Sequence, residues 1–207
     1  MKKIFCLLLS VLLIFSLAAC TAQGGTDTES TTSAAANTNA AEPAAQGKVL
    51  VVYFSATGTT KRVAEMIASA TNADIFELTP ADPYTSDDLN YNDRSSRVYK
   101  EHADASMRDI KLTANTVENF AQYDTVYIGY PIWWGEAAWP VNGFVKANDF
   151  SGKTVIPFCT SASSGVGDSA KALKELANGG NWKDGTRFSG STDSNDIAEW
   201  ISAGNAQ

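Results

Sequence analysis

The chain has few of the side chains that most often ligate metals or act as catalytic bases and nucleophiles. Its 207 residues include one histidine and three cysteines. They form no cluster with the spacing of a zinc site, so no metal is predicted. A Ser-His-Asp hydrolase would need the turn G-x-S-x-G, which is absent, and we interpret His102 as a surface residue outside any catalytic triad.

The cysteines limit the redox chemistry of the protein itself. Cys6 and Cys20 lie in the N-terminal segment, which leaves Cys159 as the only thiol of the predicted domain. No disulfide can therefore form within that domain. Cys159 is either a redox thiol or a buried structural one, and the lack of a second nearby cysteine favours the structural interpretation.

The longest apolar run is too short to span a bilayer, which takes about 20 residues. Residues 1–20 begin with Lys2 and Lys3 and continue with an apolar run, Ile4 to Leu17. This pattern predicts an export signal. The ending Leu17-Ala18-Ala19-Cys20 resembles the bacterial lipoprotein cleavage box. That resemblance implies a lipid on Cys20 and attachment to the outer face of a membrane, with secretion and an unmodified Cys20 as the alternative.

Residues 21–47 contain no large apolar side chain and consist mostly of Thr, Ser, Ala, Asn, Gln and Gly. Such a segment cannot bury enough surface to offset the entropy lost on ordering, so we predict a flexible tether. Residues 48–207 remain as one domain of ordinary size.

Positive charge is in the minority. The formal charge of the whole chain is −7, and without Lys2 and Lys3 the 14 remaining basic residues face 23 acidic ones, which gives −9. An acidic surface argues against nucleic acid and anionic lipid as partners.

Apolar runs alternate with helical patterns along the domain. Strands are predicted at Val49–Phe54, Ala73–Leu78, Thr125–Tyr130, Thr154–Cys159 and Arg187–Phe188. This alternation predicts an α/β fold with a parallel sheet and helices on both faces. Ligands of such sheets bind beyond the carboxyl ends of the strands, so the loops after the first, third and fourth strands are the candidate sites.

The connection 80–116 is longer than usual, and we predict a helix from Ser86 to Ala103 within it. This helix either caps the site or is an ordinary solvated surface helix.

The first loop is built from small and hydroxyl-bearing residues. It comprises Ser55, Ala56, Thr57, Gly58, Thr59 and Thr60, between a strand and a helix. Backbone N–H groups, hydroxyls and the helix dipole together favour a bound phosphate. The loop is neither a P-loop nor a G-x-G-x-x-G loop. A hydroxyl-rich helix cap without a ligand is the alternative.

The second loop carries two adjacent tryptophans. It comprises Pro131, Ile132, Trp133, Trp134 and Gly135. Neighbouring side chains of a strand point to opposite faces, so one indole can pack in the core while the other stacks on a planar ligand. Two aromatic residues that simply close the end of the sheet are the alternative.

The third loop supplies short polar groups that could contact the polar edge of such a ring. It includes Thr160, Ser161, Ala162, Ser163 and Gly165. On its own it could equally be a plain Gly/Ser loop.

Taken together, the three loops resemble those of flavodoxins. The phosphate loop matches Ser55-x-Thr57-Gly58-x-Thr60, with Thr59 where that family most often has Asn. The strings GYPIWWG and DFSGKTVIPFCTS are similar to single-domain bacterial members. The resemblance implies a three-layer α/β/α fold, a five-stranded parallel sheet of order 2-1-3-4-5, and noncovalent FMN. It implies that residues 55–60 hold the phosphate, 131–135 stack on the ring and 160–165 line its polar edge.

A flavin would supply the redox chemistry, so no catalytic side chain is predicted. We expect an electron carrier, or an NAD(P)H- or quinol-linked reductase of quinone-like or other small acceptors. The donor and acceptor are not identified by the sequence. The acidic composition predicts that the reduction potential of bound FMN lies below that of free FMN. A tethered module that binds a ligand without redox turnover is the alternative.

Overall fold

The computed structural model describes residues 47–205. The predicted signal segment 1–20, the predicted lipidation site Cys20 and all but the last residue of the predicted tether lie outside this range.

A parallel sheet forms the middle layer of the domain. Its strands are β1 (Lys48–Tyr53), β2 (Asp74–Glu77), β3 (Tyr123–Trp133), β5 (Thr154–Thr160), β6 (Asn181–Trp182) and β7 (Thr186–Phe188), and β4 (Glu136–Ala137) pairs antiparallel with the end of β3. The order is β2-β1-β3-β5, and both β6 and β7 pair with the outer edge of β5. The predicted order 2-1-3-4-5 is confirmed, with its last strand split in two.

Helices cover both faces of the sheet. They are α1 (Thr59–Thr71), α2 (Arg97–Ala103), α3 (Pro140–Ala147), α4 (Ser169–Leu176) and α5 (Ser194–Trp200), and a π-helical turn, Ile201–Asn205, follows α5. One core lies between the sheet and α3 and α4, and the other lies between the sheet and α1 and α5. Within residues 47–205, every helix is too short or too polar to cross a membrane.

Strand β1 shows why these runs form buried strands. Leu50 and Val52 pack into the core of α3 and α4, whereas Val51 and Tyr53 pack into the core of α1 and α5. A run that is apolar on both faces can be satisfied only at the centre of such a sandwich. Each fully buried aliphatic side chain contributes about 1.5–3 kcal/mol.

The predicted helix Ser86–Ala103 is wrong in its first half. Residues 86–96 form turns, and α2 begins only at Arg97, after the N-cap Ser96. Short polar side chains bind nearby backbone N–H groups instead: Asp88 accepts from Thr85 N, and Asp93 accepts from Ser95 N. Such local hydrogen bonds compete with the helical pattern.

The centre of the sheet provides a test of packing. Gly129 lies in β3 opposite Phe158 of β5, and a methyl group at Gly129 would overlap the Phe158 ring. We expect Gly129→Ala to lower the free energy of unfolding by about 1–3 kcal/mol, because a buried ring has little room to move. Urea denaturation measures this. Gly165→Ala is the control, since a methyl group there meets no atom within 4 Å. Equal stability of both variants would contradict the packing argument.

Candidate functional site

A cavity of about 460 Å³ lies at the carboxyl end of the parallel sheet. It is lined by Ala56, Thr57, Thr59, Leu89, Tyr91, Pro131, Ile132, Trp133, Thr160, Ser161, Ala162 and Gly190. All three predicted loops therefore contribute to one cavity, whose volume is in the usual range for small-molecule and cofactor sites. None of its lining residues carries a charged side chain.

The first loop leaves the start of α1 without a side-chain cap. Gly58, the N-cap residue, adopts a left-handed conformation with φ 88°, which favours glycine, and its N–H donates to Ser55 Oγ at 3.1 Å. Within residues 47–205, no side chain caps the start of α1 by accepting from its first N–H groups. Uncapped N–H groups beside threonine hydroxyls suit an anion.

Three residues of the first loop, Ser55, Gly58 and Thr60, do not line the cavity. Ser55 lines a smaller neighbouring cavity beside Tyr84. Thr60 is 1 % exposed, and its hydroxyl shares a 2.8 Å hydrogen bond with that of Thr160, which is 3 % exposed. This buried pair joins the start of α1 to the end of β5, so it links the first and third loops.

The second loop is a tight hairpin turn between β3 and β4. Trp134 and Gly135 occupy its two central positions with φ 47° and 83°. Two consecutive positive φ angles are typical of a type I′ turn, which a tryptophan rarely occupies. Trp133 is 1 % exposed and contributes to the cavity wall. Trp134 and Gly135 do not line the cavity.

The exposed indole of Trp134 is surrounded by residues of the insertion 80–116. The His102 ring stacks on it with 4.3 Å between centroids and 4° between planes, and Tyr91 packs against it at 4.9 Å. His102 is therefore half-buried instead of lying free on the surface, and its Nδ1 has no hydrogen-bond partner in the described part of the chain.

The third loop lines the cavity through Thr160, Ser161 and Ala162, whereas Ser163 and Gly165 do not line it. Arg187 of β7 binds this loop through Ser161 Oγ and the carbonyl oxygens of Ser161 and Ala162. The prediction that residues 55–60, 131–135 and 160–165 bind FMN remains a prediction.

Sequence reasoning missed Leu89, Tyr91 and Gly190 as cavity residues. Gly190 follows β7 at the carboxyl end of the sheet. The rule that ligands bind beyond the carboxyl ends of parallel strands therefore also applied to this loop. Leu89 and Tyr91 belong to the insertion, whose path depends on long-range contacts. Burial raises the pKa of the Tyr91 phenol to about 12, so this side chain is neutral near pH 7.

A buried polar network joins three residues of the insertion to one another. Glu101 of α2, 2 % exposed, accepts hydrogen bonds from Tyr84 Oη at 2.7 Å and from Arg97 Nε at 2.7 Å. The Tyr84 ring packs edge-on against Trp133, with 5.1 Å between centroids. The network therefore fixes Tyr84, through whose ring the insertion packs against the cavity residue Trp133.

Cys159 is fully buried beside the site. Burial raises the pKa of its thiol to about 12, although the Arg187 guanidinium offsets part of the rise. A neutral buried thiol agrees with the predicted structural role.

A larger cavity of about 810 Å³ lies at the opposite end of the strands, beside Lys48, Asn72 and Asp74. It is not the candidate site, because ligands of parallel sheets bind at the carboxyl ends and none of the three loops reaches it.

The chain is similar to known flavoproteins. The sequence model of the flavodoxin family matches residues 48–204. Crystal structures of provisionally assigned flavoproteins from Bacteroides eggerthii DSM 20697 and Bacteroides uniformis ATCC 8492 are 43 % and 42 % identical, with TM-scores of 0.69 and 0.70. The matches cover 76 % and 75 % of this chain and 97 % and 98 % of theirs.

A flavoprotein from Lactobacillus acidophilus NCFM, solved in complex with FMN, shares the fold at 22 % identity and a TM-score of 0.58. That match covers 75 % of this chain and 99 % of the other. No protein with a curated description matches.

The Thr60–Thr160 pair can be tested by a double-mutant cycle. Thr60→Val or Thr160→Val alone leaves one buried hydroxyl without its partner, so we expect each to lower the free energy of unfolding by about 1–3 kcal/mol. The double variant should lose less than the sum of the two. Urea denaturation measures all three, and the exposed Thr116→Val is the control. Strictly additive losses would show that the hydroxyls do not interact.

Proposed function

Because the chain belongs to the flavodoxin family, we propose that its domain binds FMN and transfers electrons through it. The observation that carries this proposal is the single cavity lined by all three loops. It offers an uncapped helix start with hydroxyls for a phosphate, an apolar wall for a ring and a polar loop for the edge of that ring.

The residues present fit FMN. The first loop, with Thr57 and Thr59, would hold the phosphate through backbone N–H groups and hydroxyls. Ile132 and Trp133 would pack against the ring, and the loop 160–162 would face its polar edge. Bound FMN would supply one- or two-electron transfer. The Lactobacillus acidophilus flavoprotein was solved with FMN, which makes FMN the first flavin to test.

The lining of the cavity supports electron transfer rather than acid–base catalysis. It contains no carboxylate, histidine, lysine or arginine side chain, and its one phenol, Tyr91, stays neutral near pH 7. These side chains can bind and orient a ring, but no charged group is in place to exchange protons with a substrate. The proposed roles are therefore electron carrier or reductase of small quinone-like acceptors, in which the flavin itself exchanges the electrons.

We also propose that the domain works at the outer face of a bacterial membrane, tethered through lipid on Cys20. The motif Leu17-Ala18-Ala19-Cys20 supports this proposal. A terminal cysteine that carries several acyl chains would give stable attachment, whereas one acyl chain alone binds a bilayer only weakly. A membrane quinol or a flavoprotein partner would then be the electron donor.

Titration of the full-length apo-protein with FMN tests the cofactor. We expect quenching of flavin fluorescence on binding. Thr57→Ala should weaken FMN binding about tenfold or more, because one hydrogen bond to a charged group contributes about 1.5–3 kcal/mol. Binding of riboflavin, which has no phosphate, should change little. Thr116→Ala, an exposed threonine outside the cavity, is the matched control.

Failure of FMN, riboflavin and FAD to bind the wild-type protein would contradict the redox proposal. A ligand-binding module without redox turnover would then be the better explanation of the cavity.

The anchor can be tested by phase partition of the protein made in a bacterial host. We expect the wild-type chain to enter the detergent phase and Cys20→Ser to stay in the aqueous phase, because Cys20 is the proposed site of lipid attachment. Mass spectrometry of the mature N-terminus identifies the modification. Aqueous partition of both proteins would count against the anchor and favour simple secretion.

A further inference from the structure

Arg187 lies behind the third loop, outside the cavity wall. It is half-buried on β7, and its Nε donates to Ser161 Oγ at 2.9 Å. Its Nη2 donates to the carbonyl oxygens of Ser161 at 3.0 Å and of Ala162 at 2.9 Å. One guanidinium thus makes three hydrogen bonds to two consecutive residues, both of which line the cavity.

These bonds fix the orientation of two peptide planes. The described chain contains no cis peptide bond, and a trans peptide holds its C=O and the following N–H on opposite sides. Because the carbonyl oxygens of Ser161 and Ala162 face the guanidinium, the N–H groups of Ala162 and Ser163 face away from it. Neither N–H has a hydrogen-bond partner among residues 47–205.

We propose that Arg187 is a positioning residue, which turns the N–H group of the lining residue Ala162 toward the acceptor edge of the flavin ring. This inference rests on the proposed function, because it concerns the same site. Arg187 would act through the loop rather than by touching the cofactor. A planar guanidinium suits the role, since its donors are held in a rigid fork that a lysine cannot reproduce.

The charge of Arg187 has a second consequence. No carboxylate in the described residues forms an ion pair with it, and all three of its hydrogen-bond acceptors are neutral. A half-buried positive charge without a paired carboxylate stabilises the reduced flavin ring, which carries more electron density than the oxidised ring. Arg187 therefore raises the reduction potential of bound FMN relative to a protein that lacks it.

The inference is tested by titration with FMN and with riboflavin of four full-length apo-proteins: the wild type, R187A, R187K and R94A. Arg94 is an exposed arginine outside the cavity lining, so R94A removes the same charge without touching the site. We expect R187A and R187K to bind both flavins about tenfold or more weakly, which corresponds to about 1.4 kcal/mol. The factor should be equal for FMN and riboflavin, because both carry the same ring edge. R94A should bind as the wild type does.

The reduction potential of the bound flavin is the readout that a merely structural role would not change. R187A should lower it, whereas R187K should keep it near the wild-type value because the charge remains. Thermal unfolding of each apo-protein shows whether it folds. If R187A does not fold, the flavin affinity of R187K decides the test.

Three results would overturn the inference. The first is wild-type flavin affinity in R187A or R187K, and the second is an unchanged reduction potential in R187A. The third is a loss of affinity for FMN but not for riboflavin, which would make Arg187 a phosphate ligand. A wild-type protein that binds no flavin would instead overturn the proposed function itself.

Discussion

The register of the three central strands determines where the site can form. Tyr53, Gly129 and Phe158 lie in one row across β1, β3 and β5. The first and third loops therefore begin at the same level of the sheet, on either side of β3 and within a few residues of that row. A slip of one residue in any strand would turn its side chains to the other face of the sheet. Both faces are buried, so the cores of both layers enforce this register, and the site depends on the packing beneath it.

The outer wall of the cavity depends on a different kind of interaction. Leu89 and Tyr91 come from an insertion with little regular structure, within which the buried carboxylate Glu101 binds Tyr84 and Arg97. The Tyr84 ring in turn packs against Trp133 of the cavity. A buried charge is costly unless it is fully paired, so removal of one partner destabilises far more than the pair contributes. The conformation of the insertion therefore depends on a polar network in which the loss of one hydrogen-bonding partner is strongly destabilising. The packed strands β1, β3 and β5 beneath the cavity can accept conservative apolar substitutions more easily.

The sequence predicted what depends on local pattern and topology. Apolar runs located the strands, the parallel order followed, and the carboxyl-end rule located three of the loops that line the cavity. The turn-rich part of Ser86–Ala103 was missed because competing hydrogen bonds of Asp88 and Asp93 outweigh helical spacing. The surroundings of Trp134 were not predicted, because a tryptophan in a positive-φ turn is locally unfavourable and its ring stacks on His102, which is 32 residues away in the sequence. Arg187 carries no local signal, since its role arises only when β7 pairs beside β5.

Charge has to be considered at two distances from the flavin. The acidic composition, with a formal charge of −7, predicts a lowered potential, but exposed carboxylates are screened over a Debye length of about 8 Å at physiological ionic strength. No carboxylate lines the cavity, whereas Arg187 is half-buried and contacts two lining residues. A charge in that position acts through a lower effective dielectric than one in water. We therefore expect the local guanidinium and the loop dipoles that it orients to influence the potential more than the net charge does.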